Sequence, residues 1–343
     1  MNKAYRAAGC AAVVLAACLA AFALVSRQRE QHRAQETFFA MDTPVTLTAY
    51  GSNAVSGLAA ARQAIAALED EVSVTRPHSA VARLNAGGAL PDGGTVGPLL
   101  DLAFAVGQET GGAFDPTLYP LVRAWGFTTG TQRVPASDEL KSLLKYTGAE
   151  RVVRANGTLR LRHGSMIDLG GIGKGWASDA AVEALKAAGV TSAVVNLGGN
   201  VRTLGTRPGG GAWRIGVRDP EGGLLGVLQT GEGAVVTSGS YERYFERMGQ
   251  RYWHILDPKT GGPARSGVVS VTVVGPSGAR CDALSTALFV LGPKRAAEWK
   301  RSGGREGFIM LTDGGELLLT ADLAAAFTPD EAWKDAKVTV IRP

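Results

Sequence analysis

The apolar positions along the chain fall into two periods. Phe38 to Tyr50, FFAMDTPVTLTAY, nearly alternates and is rich in Thr, Val and aromatic residues, which predicts a strand; Ser56 to Glu71 is alanine-rich and amphipathic at helical spacing. Helices are also predicted over Val96 to Thr110 and from Ser137 to Lys145, and a hairpin over Val152 to Leu161 that turns at Asn156-Gly157. Short strand runs follow at Trp213 to Val217, Gly226 to Thr230 and Gly233 to Ser238. Val268 to Val274 is the most β-branched stretch and reads as a buried strand, and Cys281 to Leu291 reads as a helix stopped by Gly292-Pro293. The pattern predicts an α+β fold with a mixed β-sheet core and flanking helices.

Ser165 to Asn200 organises the chain. Met166 to Leu169 is a short apolar run, read as a strand; glycines at 170, 171, 173 and 175 follow as a loop, and then Ala177, Ala180, Ala181, Ala184, Leu185 and Ala188 recur on one helical face up to Gly189, the expected C-terminal cap. A helix N-terminus behind a glycine loop, with Lys174 beside it, favours an anion such as phosphate. The loop matches neither the P-loop nor the dinucleotide pattern: Lys174 is followed by Gly175-Trp176, and Trp176 stands where a final glycine belongs. Glycines that permit close packing at a tight turn explain the same residues.

Ahead of these elements, Ala7 to Val25 carries no charge and follows Lys3 and Arg6, close to the roughly 20 apolar residues that span a bilayer. Residues 1–26 therefore read as a signal peptide or membrane anchor, 27–36 as a polar tether and 37–343 as the folded domain. Leu15-Ala16-Ala17-Cys18 resembles a lipobox with Cys18 as the lipidated residue, whereas the apolar run continuing to Val25 suits an uncleaved helix. Either way, the expected location is the cell inner membrane, with the domain facing the periplasm. Cys281 is the lone cysteine of the domain, which excludes an internal disulfide and cysteine-type zinc sites. The net charge of +5 is spread without a dense basic run, which argues against nucleic acid.

Three segments carry candidate chemistry. Gly111 to Phe127, with two prolines and four aromatic residues, is too irregular for one element and too apolar for a solvated loop, so it lines a cavity or packs as a compact loop. His254 sits in the run YWHILDPKTGGP, as a core residue or as a base. Asp282, Ser285 and Thr286 stand at i, i+3 and i+4, a carboxylate and two hydroxyls on one helical face. Hard oxygen donors suit magnesium or calcium; the other reading is Asp282 as a helix N-cap.

Taken in order, Met41-Asp42-Thr43, Gly111 to Asp115 ending in Trp125-Gly126-Phe127, Ile167 to Gly175, Asn196 to Asn200, Thr237-Ser238-Gly239, His254 to Gly261 and Asp282 to Thr286 resemble the motifs of the ApbE family of flavin transferases. These enzymes move FMN from FAD onto a threonine or serine of a target protein and release AMP. The resemblance implies an ApbE-like fold, with FAD contacts at Met41, Ala113, Phe114, Asp115, Asp168, Lys174 and Leu256. It implies magnesium at Asp282, Ser285, Thr286 and the backbone oxygen of Gly171, and catalytic roles for His254, as base, and Asp282. The implied acceptor is a flavoprotein, such as a subunit of an ion-translocating NADH:quinone reductase or another redox protein. Thr75 departs from the pattern where many relatives carry an aromatic residue, and Ser285 replaces a second acidic ligand. An FAD pyrophosphatase with water as nucleophile and a non-catalytic, membrane-tethered FAD-binding protein are the competing expectations.

Overall fold

The computed structural model describes residues 32–342. A nine-stranded sheet runs through it, its strands numbered here in chain order: β1 (Arg33–Ala40), β2 (Thr43–Tyr50), β3 (Ala193–Leu197), β4 (Asn200–Leu204), β5 (Gly233–Gly239), β6 (Val268–Gly275), β7 (Gly307–Thr312), β8 (Leu317–Thr320) and β9 (Val338–Ile341). Their order across the sheet repeats their order in the chain. Neighbours are antiparallel except β8 and β9, which run parallel, so the sheet is mixed.

Four long helices, α1 (Ala54–Val72), α2 (Val96–Glu109), α3 (Gly170–Ala187) and α4 (Gly278–Arg301), supply much of the main core. In it α1 packs on α3, α3 on α4, and α4 on β5 and β6. Val235, Ile309 and Leu311 join a second apolar cluster with Val217, Leu228 and Phe327, from a three-stranded sheet of Trp213–Arg218, Leu224–Thr230 and Phe327–Pro329. The predicted hairpin forms as Val152–Ala155 and Thr158–Leu161, with positive φ at Asn156 (51°) and Gly157 (69°) as a two-residue turn requires.

Several boundaries differ from the sequence pattern. The strand expected over Phe38 to Tyr50 is a hairpin, because Met41 (φ 53°) and Asp42 (φ 58°) turn the chain between β1 and β2. Strand β1 starts at Arg33, inside the stretch assigned to a tether; an edge strand covered on one face tolerates the polar residues of RAQE. Met166 to Leu169 is not a strand, Met166 making only an isolated bridge to Leu118. The glycines after it are not a loop either: they form the first turns of α3. Helix α4 begins earlier than predicted, with Ser277 as its N-cap, and is broken at Gly292 (φ 76°), where the sequence places its end. The apolar segment 7–25 and Cys18 lie outside the described residues. Among the described residues, no helix is long and apolar enough to cross a membrane.

Candidate active site

A cavity of about 760 Å³ opens where the β1–β2 turn, the start of α3 and the segments after β5 meet α4. Met41 lines it from the turn, Ala113, Phe114 and Asp115 from the irregular loop, Asp168, Gly171 and Lys174 from around the start of α3. His254 and Leu256 line it further along the chain, and Asp282 and Thr286 from α4. Ser285 does not. It is fully buried, and its hydroxyl donates to the backbone oxygen of Asp282 (2.8 Å) and lies 2.7 Å from Ser238 Oγ. The residue that brings a second hydroxyl to the cavity beside Thr286 is Ser238, 3.2 Å from Thr286 Oγ1.

The glycines of α3 have a packing reason. A Cβ on Gly175 would lie 2.1 Å from the backbone oxygen of Gly278, and one on Gly171 would lie 3.0 Å from Phe114 Cε2. Only glycine allows α3 and α4 to approach so closely. At the contact the Gly175 N–H donates to Asp282 Oδ2 at 2.8 Å. In a regular helix that N–H serves the oxygen of Gly171. Asp282 is 3% exposed and lies past the first turn of α4, so the N-cap reading fails, Ser277 holding that place.

The start of α3 is less open to an anion than its sequence implies. Asp168 Oδ1 already accepts from the Gly170 N–H (2.8 Å), and the Leu169 oxygen accepts from Ile172 (3.1 Å) and Gly173 (2.7 Å). Burial raises the pKa of Asp168 above its ordinary value, opposed by the Gly170 N–H and by the charges of Arg243 and Lys174. Burial likewise raises Asp115, against two hydrogen bonds from Thr117. The positive charge facing the cavity is therefore carried by side chains, Arg76, Lys174 and Arg243.

His254 is set up as a neutral base. Its Nδ1 lies 3.2 Å from the carbonyl oxygen of Arg243, an acceptor only, so Nδ1 carries the proton and Nε2 the lone pair. Burial first, and then the charges of Arg243 and Lys174, lower its pKa to about 3. Phe127 meets the ring edge-on at 6.4 Å and belongs to an aromatic cluster with Trp125, Phe245 and Tyr252, pinned by a 2.8 Å bond from Trp125 Nε1 to the Gly261 oxygen. The loop from Gly111 to Phe127 thus divides: Ala113 to Asp115, Leu118, Val122 and Phe127 line the cavity, while Trp125 is buried behind it.

Charged residues that the sequence pattern does not single out, Glu69, Arg76, Glu242 and Arg243, also line the cavity. Glu69 accepts from the Met41 N–H at 3.0 Å and pairs with Arg76 at 2.7 Å, and Arg243 pairs with Asp42 at 2.7 Å. Arg243 and Asp42 are remote in the chain, so no local spacing signals that pair. Arg243 and Asp42 are 45% and 73% exposed, and a pair in that much water contributes at most about 1 kcal/mol. Among the described residues, no group of three His, Cys, Asp or Glu is placed to hold a metal ion.

The sequence matches the profile of the ApbE family over residues 41–309. The chain belongs to the ApbE family. A protein named FAD:protein FMN transferase from Treponema pallidum (strain Nichols) is 38% identical over 247 residues, 66% of this chain and 68% of that protein. One of the same name from Klebsiella pneumoniae (strain 342) is 33% identical over 276 residues, 78% of this chain and 85% of that protein. Among solved structures, the ApbE protein of Thermotoga maritima superposes with a TM-score of 0.77 at 33% identity, covering 88% of this chain and 98% of that one. The Pseudomonas stutzeri flavinyl transferase ApbE, in its apo form, gives 0.75 at 30% identity over 86% and 97%. The ApbE match takes in every cavity-lining residue except Phe39 and Ala40.

Proposed function

We propose that this ApbE-family protein transfers the FMN moiety of FAD to a serine or threonine hydroxyl of a protein acceptor and releases AMP. The observation that carries the reading is the meeting, in one cavity, of a neutral histidine with a free Nε2, a buried carboxylate beside two hydroxyls, and the two cations Lys174 and Arg243. A hydroxyl oxygen attacks the FMN phosphorus as the bond to the bridging oxygen breaks. AMP leaves with that oxygen and the bonding electron pair, and the hydroxyl proton passes to His254 Nε2. Lys174 opposes the charge on the phosphoryl oxygens. Phe114 and Phe127 present apolar surface for the flavin or adenine ring.

Magnesium belongs to the proposal. Asp282, Thr286 and the Gly171 oxygen are hard donors, and one carboxylate suits a magnesium ion that completes its shell with substrate phosphates and water. The Gly171 oxygen lies on the same turn of α3 whose Gly175 N–H bonds Asp282, which supports its place beside that carboxylate. When bound, the ion neutralises charge on the transferring phosphoryl group. Ser285 acts through Ser238 and the α4 backbone rather than as a ligand. We place the acceptor among flavoproteins, such as a subunit of an ion-translocating NADH:quinone reductase or another redox protein. The apolar segment 7–25 supports tethering to the inner membrane, through a helix or a lipid at Cys18, with the domain in the periplasm.

The deciding experiment incubates the protein with FAD, magnesium and a candidate acceptor and follows AMP release together with covalent flavin fluorescence on the acceptor. Both signals rising together supports transfer. AMP and free FMN without labelled acceptor would establish the pyrophosphatase reading, and FAD binding with neither product would establish a carrier.

A further inference from the structure

We propose that Arg243 is a phosphate-binding residue, and that it exchanges Asp42 for the pyrophosphate of FAD. The inference rests on the FAD reading above and adds a residue and a movement to it.

The charges around the cavity point to this arginine. A pyrophosphate diester brings two negative charges into a cavity already lined by the carboxylates of Asp42, Glu69, Asp115, Asp168, Glu242 and Asp282. Three cations line the same cavity: Arg76, Lys174 and Arg243. Arg76 is committed to Glu69 (2.7 Å) and to Asp70. Glu69 in turn holds the Met41 N–H, so releasing Arg76 would disturb the β1–β2 turn. Lys174 makes no ion pair with a described residue and supplies one charge. Arg243 is the one that remains, held by a single exposed partner that water can solvate once the arginine leaves.

Position favours the same residue. The carbonyl of Arg243 holds the His254 backbone and ring, so its guanidinium starts from the part of the cavity that contains the base, and it lines that cavity together with Lys174; the charges of both bear on Asp168 and His254. That part is where the proton is taken and where the transferring phosphorus must lie. A guanidinium offers two parallel N–H donors to a phosphate, where an ammonium offers a point charge. The movement leaves the base in place, because His254 is held by the backbone oxygen and not the side chain of Arg243 (3.0 Å from its N, 3.2 Å from its Nδ1). Asp42 is then the residue that keeps the guanidinium at the mouth while the cavity is empty. Its φ of 58° fixes the carboxylate there through the turn between β1 and β2.

Equilibrium binding of FAD and of riboflavin to the full-length protein, followed by flavin fluorescence, tests this. Riboflavin carries the ring system without phosphate. Arg243→Gln is expected to weaken FAD binding tenfold or more, equivalent to about 1.4 kcal/mol, and to leave riboflavin affinity unchanged. Arg243→Lys should recover part of the loss, and Asp42→Asn should leave FAD affinity equal to or above that of the parent, since it removes the competitor. Unchanged FAD affinity in Arg243→Gln overturns the proposal. So does an equal loss for riboflavin, or an Asp42→Asn loss as large as that of Arg243→Gln, because either would mean that the pair only holds the mouth together. If Arg243→Gln does not fold, Arg243→Lys and Asp42→Asn still decide the matter. Failure of the parent to bind FAD would defeat the FAD reading itself, and this one with it.

Discussion

The Asp282 carboxylate accepts a 2.8 Å hydrogen bond from the N–H of Gly175, so one side chain both ties α3 to α4 and faces the cavity. Two substitutions separate those duties. Asp282→Asn keeps an acceptor for Gly175 and loses the charge; Asp282→Ala loses both. Each should abolish flavin transfer while leaving appreciable FAD binding, but only the alanine should also lower stability, by about 1–3 kcal/mol for the orphaned N–H. Transfer at the parental rate by Asp282→Asn, in the presence of EDTA, would sink the metal-assisted scheme.

Lys174 lines the cavity and makes no ion pair with a described residue. Lys174→Ala should therefore weaken FAD binding by about 1.5–3 kcal/mol, the range for a hydrogen bond to a charged group, with little change in Tm. Titration with FAD and thermal melts of both proteins check it. A lower Tm with unchanged affinity would assign the lysine to the scaffold.

His254 should leave a mark on the pH dependence of stability. Its pKa is about 3 in the folded protein and about 6.5 in the unfolded chain. Between those values the unfolded chain binds the extra proton, so stability is lost as pH falls from 6.5 toward 3. His254→Asn removes that loss, and its Tm relative to the parent should rise between pH 7.5 and pH 4.5. The same variant should slow transfer by on the order of 10²–10⁴-fold at neutral pH while remaining magnesium-dependent. A Tm difference that does not move with pH would mean that the ring is solvated.

Gly175→Ala tests the helix contact. The added methyl would sit 2.1 Å from a backbone oxygen of α4, which cannot rotate away. Overpacking of this kind costs about 1–3 kcal/mol or more, and the helices can separate only by moving Asp282. Stability in urea and transfer rate should fall together; an unchanged urea midpoint would show that the two helices are less tightly held.

Periodicity made the amphipathic helices and the central strands legible, because burial on one face is what spaces apolar residues. It did not reveal the β1–β2 turn, since Met41 and Asp42 adopt left-handed φ without the glycine that usually announces it. Glycines 170 to 175 were open to being read as a loop because their helix is stabilised from outside, by contact with α4 and Phe114, which no propensity records. Asp282 and Thr286 keep the face that their spacing implies. Ser285 shares it, yet its hydroxyl turns to Ser238 and the backbone of its own helix, a choice made by a neighbour on β5. Arg243 went unmarked because its partner Asp42 comes from a distant part of the chain.

In the main sheet, each strand lies beside its neighbour in the chain, so the long passage from the end of β2 to the start of β3 departs and returns at adjoining positions. Ala49 faces Ala193, and the Tyr50 N–H meets the Ser192 oxygen at 3.0 Å. Everything in between, including the start of α3 and the aromatic loop, is an insertion between two paired strands, and its helices α1, α2 and α3 are part of the main core. Only the connections between those helices are free to change, and doubling the length of a flexible loop costs only about 0.6 kcal/mol in closure entropy. The architecture can thus acquire a new substrate preference by lengthening or rewriting the connections that reach the cavity, with the core helices and the threading of the strands left as they are.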